Sequence, residues 1–250
     1  MTTTMADAAT IPKIGHDEAM VLAETEFART LSVLRQLDGD QWHEQTVCPL
    51  WDVRAMVAHM LGMAEAQASI RQFAHDFRAA RKRTGGLMID AMTAAQVRDR
   101  AGLTPAQLTD RLAEAAPRAV RARRRTPALA RWAIRMKQDP PFHSHRWKFG
   151  YLVDIIFTRD TWMHRLDICR ATGHDMVLTP GHDGRLVADV TAEWARWHGQ
   201  PFRLTLTGPA GGQWCQGSNG EHRELDALEF CWTLAGRGPG AGLLATKVPF

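Results

Sequence analysis

"RDTWMHRLDI", residues 159–168, puts ionisable groups where a helix should be apolar. The lead-in "FGYLVDIIFT" (149–158) is mostly apolar, and a spacing of four aligns Ile156, Asp160, His164 and Ile168 on one stripe. That stripe runs apolar, acid, imidazole, apolar. The periodicity predicts a helix over roughly 150–171, with Gly173 as its C-terminal cap.

A second stretch repeats the anomaly. "WDVRAMVAHMLGMAEAQASIRQFAHDF" (51–77) predicts one long helix with Asp52 as N-cap. Met56, Met60 and Met63 mark its buried side, and His59 sits among them. Two helices thus each bring an imidazole to an apolar face, and one adds a carboxylate. Two histidines and a carboxylate with an open position suit a catalytic zinc or related divalent ion. The i, i+4 spacing lets one helix place two ligands on one metal. The same residues also read as a helix pair worth ~0.2–0.5 kcal/mol, and as a core histidine bonded to a backbone carbonyl. Both readings stay open on the pattern alone.

Helical periods dominate to about residue 197. Met20, Phe27, Leu31 and Leu34 form the stripe of a first helix ending at "LDGD". "RTGG" (83–86) is expected to stop the second. "LTPAQLTDRLAEAAPRAVRARR" predicts a third, with Thr104 as N-cap and Pro105 at the first helical position. "TPALARWAIRM" reads as a short helix and "QDPPFHSH" (138–145) as a loop. Three or four helices so spaced imply an up-and-down bundle. Past residue 180 the texture changes. "RLVADVTAEWARWHG" is helical, "PFRLTLTG" alternates like a strand, and "GGQWCQGS" is its candidate partner. "ELDALEFCWTLAG" returns to helix and "GLLATKVPF" reads as a last strand. The fold class is therefore mainly α, a helix bundle followed by a small α+β domain.

The 250 residues carry a formal charge of +4 and 45% hydrophobic side chains, ordinary for a soluble globular chain. The N-terminal "MTTTMADAAT" lacks the basic and apolar regions of a signal peptide, and no run reaches the ~20 apolar residues of a membrane span. Cys48, Cys169, Cys215 and Cys231 lie far apart without a C-x-x-C, as expected of free thiols in a reducing cytoplasm. Positive charge concentrates in "RAARKRT" (78–84) and "RAVRARRRTP" (118–127). Neither cluster interleaves aromatic residues, so a solvated helix face is favoured over nucleic-acid binding. Attraction of an anionic small substrate is a further use.

Three segments carry a resemblance. "QWHEQTVCPLWDVRAMVAHMLG" (41–62) resembles the opening motif of DinB/YfiT-like bundle proteins, in their mycothiol-dependent maleylpyruvate isomerase branch. "TRDTWMHRLDICRATG" (158–173) is similar to that branch's second motif, and "LAGRGPGAGLLATKVPF" (234–250) to the end of its small domain. The resemblance implies a DinB-like metal-binding four-helix bundle over 15–175 and a small α+β domain over 180–250. It implies one divalent metal, typically zinc, held here by His59, Asp160 and His164. The best-known isomerase of the family has glutamate where this chain has the shorter Asp160, which bears on metal identity.

The chemistry implied is activation of a small-molecule thiol, mycothiol. Thiols ionise near pH ~8.5 in water, and a divalent cation favours the thiolate at neutral pH. Addition to an electrophilic carbon followed by rotation and loss of thiol gives cis–trans isomerisation; addition without loss gives S-transfer. Arg237 in "LAGRGPG" is the candidate partner of a substrate carboxylate, since guanidinium binds carboxylate bidentately. Asp167 is placed either to orient an imidazole or to pair with Arg170, while Arg159 and Arg165 are expected to face solvent. Trp51 and Trp162 are expected to pack beside the metal. The partners implied are the thiol and a small electrophilic substrate, acidic where it carries a carboxylate for Arg237, with no nucleic acid or membrane, in a monomeric or homodimeric cytoplasmic protein. The alternatives are a non-catalytic DinB-like ligand-binding or stress protein, and a metal-dependent hydrolase using the same site with water in place of thiol.

Overall fold

The computed structural model describes residues 5–81, 87–137 and 146–250. The expected helix stop at 83–86 and loop at 138–145 lie outside these residues, as does the end of the basic run 78–84. The chain divides into two compact units, Gly15–Met176 and a second made of the N-terminal segment to Ile14 with Val177–Phe250.

A two-residue strand, β1 (Ala6–Asp7), precedes the first unit. That unit is a mainly helical bundle. Its four long helices are α1 (His16–Leu34), α2 (Val53–Ala68), α5 (Pro105–Arg124) and α8 (Phe157–Thr172). They close a ring in which α1 and α2 each pack on both α5 and α8. The ends obey local chemistry. Asp52 Oδ1 accepts from the Ala55 N–H at 2.7 Å, and Thr104 and Gln107 form a reciprocal capping box behind Pro105. Gly173, with φ +71°, ends α8 in the left-handed conformation that glycine adopts without strain.

Where a single helix is predicted over 51–77, two are found. Ser69 is extended (φ −146°, ψ 117°) and its Oγ accepts from the Gln72 N–H at 3.3 Å. Serine serves better as a cap than inside a helix, because its hydroxyl competes for backbone groups. A new helix, α3 (Ile70–Arg81), starts there, and α4 (Met88–Asp99) packs on both α2 and α3. The short helix α6 (Ala128–Ala133) stops before Arg135, which the sequence reading keeps helical. Arg135–Lys137 instead forms β2, antiparallel to β3 (Arg146–Lys148).

A single turn, α7 (Phe149–Tyr151), leads into a π-helical turn over Leu152–Ile156 and then α8 without a break. The turn is tied on two sides. Asp154 lies 2.7 Å from His16 Nδ1 and accepts from Arg131 at 2.9 Å. Arg123 donates to the Val153 carbonyl and to Thr158 Oγ1, both at 2.8 Å. Arg118, Arg121, Arg124 and Arg125 of the basic cluster face solvent as expected, but Arg123 is buried. Burial lowers its pKa to about 10, against the pull of Asp154.

Arg159 and Arg165 correct the expectation more sharply: both are only 1% exposed. Arg165 grips Glu26 of α1 through two hydrogen bonds, Nε to Oε1 at 2.6 Å and an Nη to Oε2 at 3.0 Å. Glu26 is itself fully buried. This fork joins α1 to α8 inside the bundle.

Beside it lies Cys169. Burial pushes its thiol up to about 11 from 9.0, with Arg165 opposing and Glu26 and Asp175 adding. A raised thiol pKa favours the neutral form in the folded state, so this contribution to stability is full below pH 9 and falls as pH rises towards 11. Cys169 is expected to escape iodoacetamide at pH 8 in the native protein and to react once urea unfolds it, as peptide mass analysis would show.

In the second unit the sheet order is β1-β5-β4-β6. β4 (Phe202–Thr207) pairs antiparallel with β5 (Gly212–Gln216) and parallel with β6 (Glu221–Asp226). Helices α9 (Arg185–His198) and α10 (Ala227–Leu234) complete it, and Trp194 meets Phe202 and Phe230 at ring separations of 4.8 and 5.3 Å. The sequence predicts helix from residue 224, but 221–226 is strand, and Asp226 caps α10 by accepting from the Leu228 and Glu229 N–H groups. The predicted last strand is a 3-10 turn, Gly242–Ala245, after which Val248 is buried and bonds the Leu234 carbonyl. No helix among the described residues is long and apolar enough to cross a membrane.

Candidate metal centre

His59, two turns past the Asp52 N-cap of α2, and Asp160 with His164 on α8 converge at one point inside the bundle. Their candidate ligand atoms all lie within 4.8 Å of one another. His59 Nε2 is 3.9 Å from Asp160 Oδ2, and His164 Nε2 is 3.4 Å from Asp160 Oδ1. Around a tetrahedral ion with bonds near 2.1 Å, donors stand about 3.4 Å apart. The three donors are therefore at, or slightly beyond, the separations a zinc-sized ion draws together. The donor set, two imidazoles and a carboxylate, is that of catalytic rather than structural zinc sites. Among the described residues, the side chains of His59 and His164 are 4% and 7% exposed, while that of Asp160 is 24% exposed. Solvent reaches the cluster on the aspartate side, which leaves room for an exchangeable ligand there.

The rings are set by their neighbours. Trp51 stacks on His59, with centroids 4.9 Å apart and planes 30° apart, and the two imidazoles meet edge-on at 5.2 Å. Trp162 is buried in the core. His164 Nδ1 lies 3.2 Å from Asp167 Oδ2, so of the two roles open to Asp167 the structure displays the contact with the imidazole. His59 Nδ1 lies 2.9 Å from Oε1 of Gln96 on α4, a residue absent from the sequence expectations.

The electrostatics divide the pair. Burial lowers His59 to about pKa 4, outweighing the nearby Asp160. Burial opposes charge on His164 as well, but Asp160 and Asp167 outweigh it and raise that ring to about 9. Two carboxylates act on His164 against one on His59, and this difference decides the sign.

Arg237 belongs to the other unit, half-buried in the turn after α10, where its N–H donates to the Trp232 carbonyl at 3.1 Å. Near α2, a cavity of about 410 Å³ is lined by Gln45, Leu50, Arg54, Ala58 and Arg100, and by none of the three clustered residues. Arg54 is engaged there with the Leu103 carbonyl at 2.8 Å and the Ala101 carbonyl, closing the turn before α5.

Comparison with known proteins shows the fold and the family. The chain is similar over 94% of its length to two crystal structures of the mycothiol-dependent maleylpyruvate isomerase, one of them a histidine-to-alanine mutant. In each case 93% of the other chain is covered, at 18% identity and a TM-score of 0.57, a likeness of fold. No curated protein matches it significantly. Residues 23–169, which include all three clustered side chains, match the family described as mycothiol maleylpyruvate isomerase N-terminal domain. With more than half of its length matched, the chain belongs to the mycothiol maleylpyruvate isomerase family.

Proposed function

We propose that this protein is a divalent-metal-dependent enzyme that uses mycothiol to isomerise, or transfer sulfur to, a small electrophilic substrate. The observation carrying the reading is the convergence of His59, Asp160 and His164 within 4.8 Å, on two helices inside the segment that matches the family. Zinc is the ion we assign, because the donors are two imidazoles and one carboxylate. When bound, it supplies a Lewis acid that keeps a thiol ionised at neutral pH.

The remaining work falls to the chain. Nδ1 of each histidine is occupied by a neighbour, Gln96 for His59 and Asp167 for His164, which leaves both Nε2 atoms for the ion. The Trp51 indole covers the His59 ring on one side and restricts water there. Asp160, as the partly exposed member, lies where thiol and substrate enter. Arg237 is assigned to an acidic group on the substrate, supported by the geometry guanidinium offers a carboxylate. The wide spacing of the four cysteines, without a C-x-x-C, supports a reducing, cytoplasmic setting.

The test is turnover of maleylpyruvate by zinc-loaded protein with and without mycothiol, followed by chromatography. Thiol-dependent conversion of cis to trans substrate with thiol recovered would establish the isomerase, and stable thiol adducts would establish the transferase. Absence of both in protein carrying one zinc per chain would overturn the proposal.

A further inference from the structure

We infer that Gln96 and Asp76 are positioning residues that fix the proton of His59 on Nδ1 and so aim its Nε2 lone pair at the metal position. The inference rests on the metal-centre reading above.

Three buried polar groups form a directed chain. Asp76 of α3, fully buried, accepts from Gln72 Nε2 at 2.8 Å through Oδ1 and from Gln96 Nε2 at 3.3 Å through Oδ2. Both Asp76 oxygens face amide nitrogens and accept from them. Gln96 must therefore turn its NH2 towards Asp76, and its carbonyl oxygen falls 2.9 Å from His59 Nδ1. A carbonyl cannot donate, so the ring nitrogen facing it carries the hydrogen. In a neutral imidazole the other nitrogen, Nε2, then holds the lone pair, and Nε2 is the atom turned towards Asp160. Reversing the amide would place two N–H donors against Nδ1, drive the proton to Nε2 and block ligation.

The amide is held against that reversal. Gln96 is fully buried. Its stem lies on the backbone of α2 at Gly62, where an added Cβ would sit 2.6 Å from Gln96 Cβ and 2.7 Å from Cγ. Arg100 donates to the backbone carbonyl of Gln96 at 2.8 Å and is paired with Glu65 of α2, which ties the main chain of α4 at this point to α2. The Gln96 NH2 also approaches Met63 Sδ at 3.3 Å, a weak acceptor that favours the same orientation. Helices α3 and α4 thus reach the site through one amide.

The first measurement is the tautomer of His59 in metal-free protein, from the 15N shifts of labelled histidine. Hydrogen on Nδ1 in the parent, moving to Nε2 or to a mixture in Gln96→Leu, is expected; hydrogen on Nε2 in the parent overturns the inference without any variant. The second is zinc affinity by competition with a chromogenic chelator. Gln96→Leu is expected to bind zinc 10- to 100-fold more weakly. The double variant Gln96→Glu/Asp76→Asn keeps an acceptor against Nδ1 and a donor on α3, and is expected to recover most of that loss. Equal affinity in parent and Gln96→Leu, or no recovery in a folded double variant, overturns the inference. A parent that binds zinc while His164→Ala does not keeps the metal reading intact in either event, so the two failures are distinguishable.

Discussion

Glu26→Ala is expected to destabilise the protein by about 3–5 kcal/mol, because it breaks a buried ion pair by removing the carboxylate that the Arg165 guanidinium grips. The pair is 0% and 1% exposed and closes through two hydrogen bonds of 2.6 and 3.0 Å. Water cannot replace the lost carboxylate at that depth, so the cost exceeds that of one neutral hydrogen bond. At roughly 2–4 °C per kcal/mol for a chain of this size, the melting temperature should fall by about 6–20 °C. Substituting both partners, Glu26→Leu with Arg165→Met, removes both desolvation penalties and should lie close to the parent. A Glu26→Ala protein that melts within 2 °C of the parent would show that the fork contributes little.

The second large effect concerns the metal centre. His164→Ala is expected to lower bound zinc from about one per chain to none at micromolar metal, an affinity loss of three orders of magnitude or more, about 4 kcal/mol. Thiol-dependent turnover should fall with it. His59→Ala should match, since each removes one of three donors, whereas Arg237→Ala should keep its zinc and lose affinity for an acidic substrate. Elemental analysis beside steady-state rates separates the cases. Full zinc occupancy in His164→Ala would reduce Asp160 and His164 to a helix pair.

Periodicity made the long helices legible, since Met20, Phe27 and Leu31 or Met56 and Met60 are large apolar side chains at helical spacing. Capping chemistry at Asp52, Thr104 and Gly173 marked their ends. Helix α4 was not legible, because it buries Ala91, Ala95 and Gln96 and so shows no large apolar stripe. Gln96 was hidden with it. Arg159 and Arg165 misled for a different reason: a charged residue on a helix reads as exposed unless its partner is known, and Glu26 lies 139 residues away. The triad of His59, Asp160 and His164 stood out through polarity on an apolar stripe, a local signal. Of the neighbours that orient it, Trp51 and Asp167 are local, while Gln96 and Asp76 come from helices that only folding brings near.

Strand β1 has a consequence in time. Ala6 pairs with Trp214 in the second unit, so about 200 residues are synthesised between the two partners. At 5–20 residues per second that is roughly 10–40 seconds on the ribosome. The bundle over 15–176 is complete in sequence well before then. The opening segment must wait that long without its strand partner. At two residues, β1 is too short to template aggregation during that wait.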